Sequence, residues 1–267
     1  MLALLLPISI IIATIAMTAG IGGAVLFSPL FLLVYGLSPA EAFTLGIIIE
    51  VFGFASGFSA YAREKLIEYR LSGRILLAAL PATIIGVALS FLLPASQLNK
   101  LFALFLLLLG GALLRKDVCL IKHPAFQEAC HHWRHGKACY VPPRTNTPIA
   151  LTGIVGGLLL GLFSSGVGEV NEYFFLKRLQ MHNALASGTS VFIVALTALT
   201  SAAVRLLLLG AAGSTQLTPY LLWAVPGVLI GGQLGMRVAK RITNPLLMRR
   251  AVGALFLVLS TLTFLFA

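Results

Sequence analysis

A chain of 267 residues that is 59% hydrophobic and only 10% charged leaves too little polar surface for a soluble globule. Apolar runs of about 20 residues, the length that crosses a bilayer, recur from end to end and define a polytopic membrane protein. The runs are continuous and Leu-rich, without the apolar–polar alternation of a β-barrel. The net charge of +11 would suit nucleic acid, but in a membrane protein basic residues gather in cytoplasmic loops, so no nucleic-acid partner is expected.

The first segment, Leu2 to Tyr35, is apolar and uncharged. It lacks a basic leading region and a convincing cleavage site, and is read as a retained membrane segment. Ser38 to Tyr61 follows, with Glu41 near its start and Glu50 near its middle. A basic connector from Arg63 to Arg74 leads to a third segment, Ile75 to Leu93, which contains Pro81 and Gly86. Leu98 to Leu114 is the fourth. A polar loop, Arg115 to Pro148, divides the chain, and the order then repeats with Ile149 to Leu176, Ala184 to Leu209, Tyr220 to Val238 and Leu246 to Phe266.

Two glycine clusters interrupt these segments, Ala19-Gly20-Ile21-Gly22-Gly23-Ala24 and Ser164-Ser165-Gly166-Val167-Gly168-Glu169. Glycine adds backbone freedom and removes packing, so each cluster should break its helix. Backbone opened inside a membrane must be satisfied by protein or by a water-filled cavity. Gly20 and Gly22 fall on Gly166 and Gly168 at a shift of 146 residues, and Pro81 and Gly86 fall on Pro226 and Gly231 at 145. The expected organisation is an all-α bundle of two four-segment repeats, residues 1–114 and 149–267, joined by a cytoplasmic loop at 115–148. Seventeen of the nineteen Lys and Arg lie in the connector, the central loop, the pair Lys177-Arg178 and the link Arg237 to Arg250. Placing all four inside makes the fifth segment start and end inside, so it must turn back at its glycines. By the duplication the first segment does the same from outside, which makes the repeats inverted and puts both termini outside, a common transporter plan.

The run Gly20-Ile21-Gly22-Gly23 followed by Pro29 and Gly36, with Gly188-Thr189-Ser190-Val191-Phe192 and Thr197-Ala198-Leu199 in the second half, resembles the sulfite exporter TauE/SafE family. The resemblance covers almost the whole chain outside the central loop. It implies an inner-membrane permease of two four-segment repeats that exports sulfite, sulfonates such as sulfoacetate, or related anions. The sequence departs from the family pattern where Ala24 replaces a third glycine, and where the second cluster runs on as Glu169-Val170-Asn171-Glu172. Leu45-Gly46 stands in the first half where the second has Thr189-Ser190.

Helix starts at both clusters would aim backbone amides and positive dipole ends at a central anion. The substrate-binding candidates are therefore Gly20, Gly22, Gly23, Gly166 and Gly168 for their backbone. Ser164, Ser165, Thr189 and Ser190 add hydroxyls and Asn171 an amide. Glu50, Glu169 and Glu172 lie in or beside apolar segments, where a carboxylate is costly unless paired or facing a cavity. They are the proton-coupling candidates, although Glu169 also fits a helix cap. Arg205 is expected to snorkel to the outer surface, and His182 and Asn183 to cap the next helix.

Cys119, His123, Cys130, His131, His132, His135 and Cys139 crowd the central loop. Such ligands could hold zinc, but no paired spacing is present, and the expectation is a solvated loop with no bound metal and no disulfide framework. No cofactor is expected. A metal-cation transporter using this loop is the alternative to an anion transporter. A membrane enzyme ranks below both, because no nucleophile–base constellation or metalloprotease motif appears. The expected partners are a small anion and the lipid bilayer, with a homodimer left open.

Overall fold

The structure, a computed structural model, describes residues 2–19, 22–63, 65–114, 147–179, 181, 183–239 and 245–265. Among these there is no strand. After a short 3-10 turn the helices are α1 (Leu5–Ala19), α2 (Ala24–Leu33), α3 (Pro39–Arg63), α4 (Tyr69–Leu92) and α5 (Ala95–Leu114). The second half holds α6 (Thr147–Phe163), α7 (Val167–Tyr173), a π turn at Phe174–Arg178, α8 (Asn183–Ala239) and α9 (Pro245–Leu265). Tyr69–Leu92, Ala95–Leu114 and two arms of α8, Leu185–Gly210 and Thr215–Leu234, are long and apolar enough to cross a membrane.

The chain punctuates these helices with specific chemistry. Ser38 and Glu41 form a reciprocal cap at the start of α3: the Ser38 N–H and Oγ donate to Glu41 Oε2 at 3.0 and 2.6 Å. That assigns Glu41 to local structure. The sixth and seventh segments are two helical arms joined at Gly210, whose φ of 72° and ψ of 177° are non-helical and favour glycine.

Both glycine clusters break their helices, and both breaks turn the chain back. α1 ends at Ala19 and α2 starts at Ala24. α2 returns far enough to set Tyr35 edge-on against Tyr220, ring centroids 5.5 Å apart. In the second half Ser164 adopts φ 61° and Gly166 φ 120°, a left-handed pair that reverses direction and brings Val167 back against Gly156. A side chain at Gly166 would also strike Leu159.

The halves exchange partners. α4 of the first half packs along α6 of the second, and the later arm of α8 packs along α1. Both contacts are lined by glycine: Gly153, Gly157 and Gly161 lie on the α4 backbone at Ile75, Ala79 and Thr83, while Gly227 and Gly231 lie on Leu6, Ser9 and Ile10. Without a hydrophobic drive between helices in lipid, such close backbone approach supplies the association through van der Waals contact. Residue numbers rise together across each of these contacts, so the helices in each pair are parallel. By contrast α3 runs antiparallel to the first arm of α8, with Phe58 on Phe192 at 5.6 Å and Tyr61 beside Gly188. α5 and α9 are antiparallel too: Gly110 meets Gly253, and Ser260 Oγ donates to the Ala103 carbonyl at 2.7 Å.

Candidate functional site

The two hairpin tips meet at the middle of the bundle, and Gly22 is the point of contact. A Cβ added there would fall within 4 Å of Glu50 Oε1, Ser165 Oγ and Glu169 Oε1. The missing side chain is what lets residues from three elements converge. The Gly22 N–H donates to Glu169 Oε1 at 3.4 Å, and Ser165 Oγ donates to the same oxygen at 3.5 Å. Amides at Gly166 and Glu169 itself also serve this carboxylate, so Glu169 caps α7 from within and clasps the opposite hairpin. Glu50 does the corresponding work on the other tip: the Ala24 N–H donates to it, at a helix start that no N-cap side chain covers.

Glu50 is only 4% exposed, and its Oε2 has no hydrogen-bond partner among the described residues. It borders a cavity of about 30 Å³ lined by Ala13, Ala16, Phe27, Gly53 and Val228. A space of that size accommodates a water molecule beside the carboxylate. Glu169 lies near enough for its charge to act on Glu50. Two carboxylates thus share one buried centre, each holding amides from a hairpin tip.

The other sequence candidates fall into three groups. Ser165 and Gly166 join the centre with Gly22, while Gly23 lies beside it, its carbonyl accepting from Leu26 and Phe27 at 3.0 and 3.1 Å. Ser164 is fully buried but donates to the Phe43 carbonyl at 2.6 Å, tying the second tip to α3. Ser190 Oγ reaches the Gly168 carbonyl at 3.4 Å, at the back of α7. Thr189 accepts from the Glu68 N–H at 3.1 Å where α4 begins. Asn171 is fully buried with neither side-chain atom partnered among the described residues. Gly20, the side chain of Glu172, His182 and the Cys/His-rich loop lie outside the described residues.

The sequence reading is corrected at Arg205. It does not snorkel: it is fully buried on the first arm of α8. Its Nη2 donates to the Gly161 and Leu162 carbonyls, the latter at 3.2 Å, so a cation caps the negative end of α6 just before the break. The guanidinium lies over the rings of Phe43 and Phe91, 5.9 and 6.0 Å from their centroids. A lone arginine in an apolar run does not disclose this, because the carbonyls it holds are 43 and 44 residues away.

Long apolar helices around two broken hairpins, with titratable groups buried where the breaks meet, are the build of a membrane transporter. The family model described as "Sulfite exporter TauE/SafE" matches residues 5–263, and the chain belongs to that family. It is 23% identical over 247 residues to "Probable membrane transporter protein YunE" of Bacillus subtilis (strain 168), covering 89% of this chain and 88% of that protein. It is 24% identical over 223 residues to "Probable membrane transporter protein YjnA" of the same organism, covering 83% and 85%. No solved structure matches the chain significantly.

Proposed function

We propose that the protein exports small sulfur-containing anions, such as sulfite or organosulfonates, across the plasma membrane and couples their passage to protons. The observation that carries this reading is the meeting of two hairpin tips at Gly22, where backbone amides from both tips are held by Glu50 and Glu169. Amides at helix starts are anion ligands, and here two carboxylates occupy them. An arriving anion is repelled by those charges and must also compete for their donors. Protonating a carboxylate removes the repulsion and weakens its claim on the N–H groups, since charged acceptors bind them more strongly. Proton and anion are thereby linked at one centre. Family membership supports the substrate class, and it favours a carrier over an enzyme. We keep Gly20, Gly23, Gly168, Asn171, Thr189 and Ser190 as candidate substrate contacts, and Glu172 as a candidate proton group.

The exchanged, direction-matched packing supports an inverted repeat. α3 and α5 lie antiparallel to their counterparts in the second half, as they must if the halves are oppositely oriented. With the basic loops inside, both termini lie outside and the tips meet near the bilayer midplane.

The test is flux in proteoliposomes across a panel of sulfite, thiosulfate, sulfoacetate, sulfate and chloride, with zinc as the contrasting cation. Flux of a sulfur anion that responds to an imposed pH gradient supports the reading. Zinc flux with no anion flux would replace it with metal transport.

A further inference from the structure

Arg205 lies on the opposite side of the shared centre from the Glu50 cavity. On α3 the cavity is lined by Gly53, beyond Glu50, whereas Arg205 packs on Phe43, seven residues before Glu50. Seven residues are two helical turns, or about 10 Å. The antiparallel contact of α3 with the first arm of α8 accounts for this placement, because each step forward on α3 is a step back on α8. The internal duplication relates the two places. Under the 146-residue shift Ala16, which lines the cavity, falls on Leu162, whose carbonyl Arg205 holds. One half therefore offers open space beside its broken helix where the other half places a guanidinium.

That guanidinium is incompletely satisfied. Nη2 bonds two carbonyls, yet Nε and Nη1 have no partner among the described residues. No carboxylate pairs with Arg205 among the described residues either. A fully buried cation without a counter-ion in a membrane span is costly, and two carbonyl dipoles and two ring faces offset that only in part. A small oxyanion would neutralise the charge and take the free N–H groups in charge-assisted hydrogen bonds. Carbonyl ligands to Nη2 meanwhile fix the guanidinium against the second hairpin tip.

We propose that Arg205 forms a second anion subsite, across the hairpin tips from the Glu50 cavity, which takes a small oxyanion on the guanidinium nitrogens the protein leaves free. The substrate class rests on the anion reading given above. The anion then has two stations, the hairpin-tip amides at the carboxylate centre and the Arg205 guanidinium about two helical turns along α3 from Glu50, and a carrier that opens alternately to two faces can use them in turn.

The experiment follows thermal unfolding of the purified full-length protein in detergent against graded sulfite, sulfate and sulfoacetate. Wild type should be stabilised by at least one of them. Arg205→Gln should raise the half-saturating concentration by about tenfold or more, and Arg205→Lys by less, because the charge is kept but the planar donors are lost. A residue that only braces the end of α6 would lower the melting temperature and leave the anion dependence unchanged, and that result would overturn the subsite. Phe91→Cys, in a chain with Cys119, Cys130 and Cys139 replaced, leaves the guanidinium intact in case the arginine variants do not fold. An anionic thiol reagent should modify it faster than a neutral one, and sulfite or sulfate should slow the reaction; equal rates with no protection would overturn the proposal. Flux in the proteoliposome panel is scored separately. Transport with no dependence on Arg205 removes the subsite alone, and anion stabilisation through Arg205 without flux removes the transport reading alone.

Discussion

A glutamate that takes a backbone amide at the tip of a broken helix is in direct competition with any anion that tip could hold, and here both tips are so engaged. Glu50→Gln keeps shape and hydrogen bonding while abolishing titration. If the centre couples protons, this variant should fold normally and carry anion at a rate that no longer changes with an imposed pH gradient. The same holds for Glu169→Gln, although its cap on α7 is weakened and about 1 kcal/mol of stability should go with it. Gradient-driven flux retained in full by both variants would refute coupling through these residues. Gly22→Ala probes the same centre without touching a charge. The added Cβ meets the far ends of flexible side chains, Glu50 and Ser165 above all, which can swing aside. The melting temperature should therefore move little, while Glu50 is pushed off the Ala24 amide and flux falls by about tenfold, the effect expected for a misplaced binding group. A large drop in stability with normal flux in the surviving protein would show that Gly22 serves packing alone.

The glycines of α6 differ from Gly22 in what a side chain would strike. At Gly161 a Cβ meets the Thr83 carbonyl, the Gly86 Cα and the Val87 nitrogen, all backbone, and backbone in a packed helix pair has nowhere to go. Gly161→Ala should cost about 1–3 kcal/mol, the usual range for overpacking, read as lowered resistance to denaturing detergent. Gly73 and Gly111, with nothing within 4 Å of an added Cβ, serve as controls: alanine there should be neutral or slightly stabilising, since it removes unfolded-state freedom. The contrast marks how far the sequence could be read. The clusters at 19–24 and 164–169 announced their breaks because glycine in an apolar run has few other uses, and the segment boundaries followed from hydropathy. Gly161 and Gly157 look no different from Gly111 in the sequence, since what distinguishes them is the α4 backbone, reached only through a contact between halves. The motif at Thr189 does not disclose that its hydroxyl accepts from the Glu68 N–H where α4 begins. At Arg205 the limit is sharper: an apolar neighbourhood in sequence says nothing about two carbonyls brought in from another helix.

Across the whole molecule, helix direction follows a pattern. The helices that correspond under the duplication, α3 with the first arm of α8 and α5 with α9, touch and run antiparallel. The helices exchanged between halves, α4 with α6 and α1 with the later arm of α8, run parallel. Both facts are what the proposed inverted arrangement, one half turned over relative to the other, would produce. Two halves of the same orientation would make the corresponding helices parallel. The positive-inside rule then supplies an expected orientation from Arg63, Lys65, Arg70 and Arg74 around the junction of α3 and α4, the central loop, and Arg178 after the second hairpin. The proposed orientation puts both chain ends outside and the loop 115–148 in the cytoplasm. With Cys119, Cys130 and Cys139 replaced, single cysteines introduced near Met1 and near Ala267 should both react with an impermeant thiol reagent in whole cells. A cysteine in the central loop should react only after the membrane is opened. Equal labelling of the two ends is the decisive outcome, because in the proposed arrangement each hairpin would cross nothing on balance and each half would contribute an odd number of crossings. Ends labelled from opposite sides would leave the parallel and antiparallel contacts without a common orientation, and the inverted arrangement would have to be abandoned.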